Sequence, residues 1–223
     1  MMTIRCVRTS NLSPVRPGRA RLGAGDVASQ HDQEQALTRI VAGALGGRRI
    51  ATPPGAGTRP TSDRVREALF SAVAAAVDLE GARFADLYAG SGAVGLEALS
   101  RGAAHVLLVE SNPRAARTIR ENMAALRAGP AARLVTGKVA TVLAAGPEGG
   151  PYDVIFADPP YPVSDEEVSA MLAALAGNGW LAPEALVVVE RSSRSGPVGW
   201  VPGVTGERSR RYGETILWYG RRS

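Results

Sequence analysis

Arg83-Phe84-Ala85-Asp86-Leu87-Tyr88-Ala89-Gly90-Ser91-Gly92-Ala93-Val94-Gly95, followed after a helical stretch by His105-Val106-Leu107-Leu108-Val109-Glu110, decides the fold. A short apolar run, a glycine turn, a helix predicted over 92–101 and a second apolar run follow in direct succession. Near-continuous apolar strands alternating with helices imply a mostly parallel sheet covered on both faces. Ligands on such sheets bind outside the carboxyl ends of the strands. The turn satisfies G-x-G-x-x-G through Gly90, Gly92 and Gly95, which permits a tight bend and close approach of a ligand to the backbone. Glu110 ends the second strand, where an acid can accept from both hydroxyls of a ribose.

Three readings of this turn compete: a dinucleotide pyrophosphate site, a site for the methionine moiety of S-adenosylmethionine, and a helix start with no ligand. Asp86, at the head of the turn, discriminates. A carboxylate there repels a pyrophosphate and suits the cationic amino and sulfonium region of S-adenosylmethionine.

The same alternation continues downstream. Asn112 caps a helix with Pro113 at its first position, and Ile119, Met123 and Leu126 face inward. Further strands are expected over 133–136, 153–157, 185–189, near 198–205 and over 215–219, with Trp180 and Pro183 in the turn before the third of these. Ser164 and Glu167 form a capping box ahead of a helix burying Val168, Met171, Leu172 and Leu175. Upstream, Arg39 to Gly43 and Gly47 to Ile50 flank a Gly-rich bend and suggest a hairpin. Thr61 or Ser62 caps a helix whose Val65, Leu69, Val73 and Val77 recur every four residues. Residues 1–36, Arg-rich and without periodicity, read as a disordered extension or an over-extended gene start; a transit peptide is the alternative.

Val154-Ile155-Phe156-Ala157 leads directly into Asp158-Pro159-Pro160-Tyr161. Two prolines stiffen the backbone and remove two donors, leaving their carbonyls as acceptors. A carboxylate and a proline carbonyl can then receive the two N–H groups of a planar exocyclic amine, and Tyr161 offers a ring on which a base can stack. Such an amine is a poor nucleophile because its lone pair is delocalised. Acceptors that orient its N–H bonds direct the lone pair at an electrophilic methyl and stabilise the charge developing on nitrogen. No metal is required. The competing reading is a Pro-Pro turn that merely ends a strand.

Composition sets outer limits. With 223 residues, 45% hydrophobic and 21% charged, the chain suits a soluble domain with a sizeable core. No apolar run reaches the roughly 20 residues that span a bilayer. The formal charge of +5 and pI near 10.0 favour a polyanionic partner. Lys138 is the only lysine, so the positive charge is almost all arginine. The single Cys6 excludes an intramolecular disulfide, and His31 and His105 are too few for a His-rich metal centre.

Together these residues resemble the RsmD family, the bacterial 16S rRNA guanine-N2 methyltransferases. Besides the glycine turn and Asp158 to Tyr161, the resemblance is carried by Arg39 to Gly43, Gly47 to Ile50, Arg59 to Phe70, Gly90 to Ala103 and Arg211 to Thr215, and it covers about residues 38–220. It implies a Rossmann-like class I S-adenosylmethionine-dependent methyltransferase fold: an α/β seven-stranded, mostly parallel sheet with helices on both faces and a small N-terminal hairpin. The implied boundaries are an extension over 1–36, a hairpin and loop over 37–60 and the methyltransferase domain over 61–223. The implied reaction moves a methyl group to the N2 of a guanine in 16S rRNA of the small ribosomal subunit, in a cytoplasmic monomer without metal or membrane.

Asp158, Pro159, Pro160 and Tyr161 would be catalytic. Asp86, Tyr88, Gly90, Ser91, Gly92, Gly95, Glu110, Ser111, Lys138 and Val139 would bind the cofactor. Arg48, Arg49, Arg59, Arg64 and Arg66 would be candidates for RNA phosphates, against the alternative of a solvated basic face; Arg66 and Glu67 could equally pair with helix neighbours. One departure stands out. After the third strand, methyltransferases of this type often carry an acid that accepts from the adenine amino group, and Val135-Thr136-Gly137-Lys138-Val139 has none. Adenine would then be read by backbone groups near Lys138 and Val139. Adenine-N6 or cytosine-N4 methylation, a nicotinamide-dependent oxidoreductase and a non-catalytic RNA-binding assembly factor remain the competing functions.

Overall fold

The computed structural model describes residues 37–53, 62–160 and 163–223. The expected N-terminal extension, Arg59 and Tyr161 lie outside them. Strands β1 (Leu37–Arg39) and β2 (Arg49–Ala51) form an antiparallel hairpin. Helix α1 (Asp63–Ala74) follows, and then a seven-stranded sheet is built with its helices. In chain order these are β3 (Arg83–Leu87), α2 (Ala93–Ser100), β4 (His105–Glu110), α3 (Pro113–Leu126), β5 (Ala132–Thr136), α4 (Val139–Ala145), β6 (Tyr152–Ala157), α5 (Asp165–Gly177), β7 (Leu181–Ser192), β8 (Val204–Tyr212) and β9 (Thr215–Arg222).

The strand order is β5-β4-β3-β6-β7-β9-β8. Strands β5, β4, β3, β6 and β7 are parallel. Strand β9 runs antiparallel to both β7 and β8. The chain reverses direction between β3 and β6, and the crevice between their carboxyl ends is where α/β sheets bind ligands.

Strand periodicity sorts the core into two faces. Phe84, Val106, Leu108, Val154, Phe156, Leu186, Val188, Leu217 and Tyr219 pack with residues of α1, α2 and α3. Ala85, Leu87, Leu107, Val109, Ile155, Ala157, Val187 and Val189 pack with residues of α4 and α5. Alternate residues of each central strand are therefore buried on opposite faces, as a sheet covered on both sides demands.

The caps fall where the side chains dictate. Ser62 accepts from Val65 N–H at the start of α1, Asn112 from Arg114 and Ala115 at α3, and Ser164 with Glu167 closes a capping box on α5. Val65, Leu69 and Val73 are buried, whereas Val77 lies beyond the end of α1.

Four expectations need correction. The expected hairpin forms, but its strands only overlap the ends of the expected runs: β1 stops at Arg39 and β2 starts at Arg49, and Ile40 and Ile50 point into the main core. The strand expected near 198–205 begins at Val204 and runs to Tyr212; Trp200, ahead of it, packs flat against Gly206 and Gly220. Strand β7 spans Leu181–Ser192 and contains Pro183, which was expected in a turn. Its pairing with β6 shifts register there, from Tyr152 with Leu181 to Val154 with Leu186. A bulge tolerates a residue with no N–H. Helix α4 was not foreseen, because Val139-Ala140-Thr141-Val142-Leu143 mixes β-branched residues into a single turn and a half.

Candidate active site

The glycine turn is held by carboxylates on either side. Gly90 and Gly92 adopt positive φ (56° and 79°), as does Tyr88 (68°), a conformation that is costly for a residue with a Cβ. A Cβ on Gly90 would meet nothing within 4 Å, so the turn leaves open space there. A Cβ on Gly95 would lie 2.4 Å from Leu108 Cδ2 and 2.9 Å from Val106 Cγ1. The third glycine thus lets α2 press against β4, the packing role such a glycine has in this kind of turn.

Glu110 is bonded into the turn from the neighbouring strand. Its Oε2 accepts from Gly90 N–H at 2.8 Å and its Oε1 from Asn112 N–H at 2.7 Å. Each oxygen keeps a lone pair for a ribose hydroxyl. Gly137 N–H donates to Glu110 O at 3.0 Å, so the end of β5 and exposed Lys138, the N-cap of α4, lie beside it; Val139 is buried behind them. Exposed Ser111 follows Glu110. Ser91 O is taken by Asn122 Nδ2 at 2.9 Å, which ties the turn to α3.

Asp86 is 2% exposed, and its Oδ2 accepts from Gly95 N–H at 2.9 Å. It thereby caps the first turn of α2, which has no cap from its own N-cap residue. Burial, with Glu110 and Glu190 nearby, raises its pKa to about 7, although the Gly95 bond opposes the rise. A ligand cation would meet only the remaining oxygen, at the floor of the cleft.

Asp158 follows β6 and is half-buried. Burial first, then the Glu190 and Asp86 carboxylates, pushes its pKa well above the usual carboxylate range. Pro159 is buried and Pro160 exposed. The Pro160 carbonyl accepts from Val163 N–H at 3.0 Å, so one of the two expected proline acceptors is engaged in a turn. Among the described residues the Pro159 carbonyl receives no hydrogen bond. Tyr88 is half-buried, and burial and then the Glu167 carboxylate raise its pKa.

Glu190 was missed by sequence reasoning. It is 7% exposed. Register aligns Val189 with Ala157 and Phe156 with Asp86, so Asp86, Asp158 and Glu190 lie toward the carboxyl edge of three adjacent strands on one sheet face, with β7 running on to Ser192. The signal was present: an acid directly follows the apolar run Ala185-Leu186-Val187-Val188-Val189, as Asp158 follows Val154 to Ala157.

The basic candidates divide. Arg66 is 1% exposed and donates to Arg39 O at 2.5 Å and to Asp63 Oδ1 at 2.9 Å. It is buried inside the fold and is withdrawn as a phosphate contact. Arg48 donates to the Ala125 and Leu126 carbonyls and so caps the end of α3. Arg49 and Arg64 are exposed. Among the described residues there is no group of three His, Cys, Asp or Glu side chains able to hold a metal ion, and no helix is long and apolar enough to cross a membrane.

The strand order with one reversed strand, the glycine turn after β3 and the acid ending β4 define a class I methyltransferase fold. A model described as conserved hypothetical protein 95 matches residues 38–221. Ribosomal RNA small subunit methyltransferase D of Escherichia coli K12 is 41% identical over 166 residues, covering 73% of this chain and 80% of that one. Its counterpart in Haemophilus influenzae is 35% identical over 153 residues, 68% of this chain and 77% of that one. Among solved structures, yhhF of E. coli superposes with a TM-score of 0.74 at 34% identity, covering 84% of this chain and 99% of that one. Magnesium protoporphyrin IX methyltransferase of Synechocystis, at 18% identity and TM-score 0.56 over 72% of this chain and 79% of that one, shares the fold alone. The chain belongs to the RsmD family.

Proposed function

We propose that this protein transfers a methyl group from S-adenosylmethionine to the exocyclic N2 of a guanine in 16S rRNA of the small ribosomal subunit. The observation that carries the reading is the pairing, at the end of β6, of the Asp158 carboxyl with an unengaged Pro159 carbonyl, one strand from the glycine turn. The ribosomal target rests on the relatives named for small-subunit rRNA methylation.

The residues present fit the cofactor. Gly90 leaves room beside the backbone, Glu110 offers lone pairs to a ribose, and the backbone at Gly137 to Val139 lies next to it for adenine. Asp86 supplies negative charge below the turn. When bound, S-adenosylmethionine supplies an electrophilic methyl on a sulfonium.

Asp158 and the Pro159 carbonyl accept the two amine N–H bonds and turn the nitrogen lone pair out of the base plane. Carboxylate charge stabilises the positive nitrogen as it develops. The raised pKa of Asp158 makes it a better acceptor for the proton that the methylated amine sheds. Tyr88 and, from the sequence alone, Tyr161 are the candidates for stacking on the base. Exposed Arg49 and Arg64, with Arg59, are candidates for rRNA phosphates.

The test uses small subunits from cells lacking this protein, incubated with it and labelled S-adenosylmethionine. N2-methylguanosine is expected in the digested 16S rRNA; N6-methyladenosine, or no label, refutes the reading. Asp158→Ala should lose about 10²–10³-fold in rate, the range for one group stabilising transition-state charge, with cofactor Kd within about threefold. A loss confined to cofactor binding contradicts the role given to Asp158.

A further inference from the structure

We propose that the groove between α1 and β8 holds the sugar-phosphate backbone of the RNA strand whose base enters the cleft, with Arg208 and Arg210 as its phosphate contacts. This rests on the RNA-methyltransferase reading above. The groove encloses about 380 Å³ and is lined by Ala68, Ser71, Ala72 and Ala75 of α1 and by Arg208, Arg210 and Tyr212 of β8. Small helix side chains leave it open, and both arginines are exposed.

Its charge is uncompensated. Among the described residues neither Arg208 nor Arg210 has a carboxylate partner, while the neighbouring charges of the β8–β9 hairpin are engaged: Arg221 with Glu207, Arg194 with Glu214, and Arg211 with the Gly213 carbonyl and Ser193. An edge strand carries charge to discourage pairing with other chains, but that purpose is met by any charge and does not require two unpaired arginines turned toward a helix.

The strand behind the groove supplies a second, independent observation. Tyr219 is fully buried, and its hydroxyl has no hydrogen-bond partner. The Arg208 guanidinium lies 4.9 Å from its ring centroid, and Tyr212, Arg208, Arg210 and Glu190 are the titratable and charged groups acting on the phenol. A buried hydroxyl without a partner, behind two arginines that have no carboxylate of their own, is a donor that an acceptor oxygen in the groove would satisfy.

Position ties this groove to the cleft. Register sets Arg208, Arg210 and Tyr212 opposite Tyr219, Leu217 and Thr215, on the sheet face that also carries Asp86, Asp158 and Glu190. Three strand spacings, about 14 Å, separate β6 from β8, a reach of two or three nucleotides. Successive same-face residues on a strand lie about 6.6 Å apart, comparable to neighbouring phosphates on one strand. Arg64, four residues before Ala68, continues the groove-facing side of α1. Tyr212 closes the groove at the carboxyl edge with a ring for stacking.

The test measures binding of the full chain to a labelled single-stranded oligoribonucleotide across a salt series, beside steady-state methylation of unmodified small subunits. Each phosphate contact contributes about 0.7 to the slope of log K against log salt for single strands. The Arg208→Ala/Arg210→Ala pair should therefore weaken binding at least about tenfold and flatten that slope by about 1.4. KM for subunits should rise with kcat and cofactor affinity little changed, and Arg210→Lys should restore most of the slope. Ser71→Glu, an exposed helix substitution, should weaken binding from the opposite wall.

Arg117→Ala/Arg133→Ala removes the same charge elsewhere and should retain the wild-type slope. Equal losses in both pairs, or no loss in the groove variants, overturn the proposal. Wild-type protein that binds RNA through the groove yet labels no subunit overturns the methylation reading and leaves the groove standing.

Discussion

At the scale of single residues, the glycines of the turn have separable tasks, and substitution should separate them. Gly95→Ala forces a methyl into Leu108 and Val106, and overpacking of this kind costs about 1–3 kcal/mol. Urea denaturation should show that loss. Gly90→Ala meets no neighbour and suffers only its positive φ, a cost of about 1 kcal/mol. It should nevertheless weaken S-adenosylmethionine binding more than Gly95→Ala does, because it fills space at the ligand-facing side of the turn. The opposite ranking of the two in stability and in cofactor titration would contradict the assignment.

At the scale of elements, a buried carboxylate is one of the side chains that tie the N-terminal hairpin to the sheet domain, beside Ser100 and Asn122. Glu97 of α2 is fully buried and accepts from Val41 N–H at 2.6 Å, Ala42 N–H at 2.9 Å and Arg101 Nε at 2.9 Å, with Arg66 Nε 3.7 Å away. Removing one partner of a buried ion network leaves charge uncompensated and costs about 3–5 kcal/mol. Glu97→Gln should lose close to the lower figure, since Asp63 still serves Arg66, and the Val41 and Ala42 amides should exchange faster with deuterium. Unchanged exchange there would mean the hairpin is held instead by Ser100, Asn122 and the packing of Ile40 and Ile50. None of this was legible in the sequence. Glu97 sits in a helix whose apolar residues and glycine gave its identity as an element but not what its one acid touches. Strands β3, β4 and β6 were legible because a strand buried on both faces is an uninterrupted apolar run. Strand β8 was not, because an exposed edge strand such as Val204-Thr205-Gly206-Glu207-Arg208-Ser209-Arg210 carries no burial pattern. The same blindness hid Arg208 and Arg210, while Arg66, equally basic in composition, proved to be internal. Asp86, Glu110 and Asp158 were legible because each ends an apolar run beside a turn; Glu190 also ends an apolar run, but β7 continues past it to Ser192 and no turn follows it.

At the scale of the whole molecule, three carboxyl groups toward the carboxyl edge of adjacent strands on one face oppose one another, and the fold holds them together against that repulsion. A carboxyl whose folded pKa lies above its unfolded value binds more protons folded than unfolded across the interval between them. Stability therefore falls as pH rises through that interval. Asp86 moves from 3.8 to about 7, so its contribution is fully present below pH 4 and lost by pH 7. A shift of that size corresponds to at most about 4 kcal/mol. Asp158 shifts in the same direction. His105, lowered by burial and by Arg83 and Arg133, acts in the opposite sense around its ordinary value, so the wild-type curve alone mixes the two. The difference between wild type and Asp86→Asn isolates the carboxyl. Between pH 5 and 7.5 the wild type should lose several degrees of Tm relative to Asp86→Asn. Saturating S-adenosylmethionine should shrink that gap, because a cation above Asp86 favours its ionised form. Cofactor affinity should correspondingly rise with pH in the wild type and stay flat in Asp86→Asn. A Tm difference that does not vary with pH would mean that Asp86 is not raised, and that Asp158 and Glu190 do not share its field.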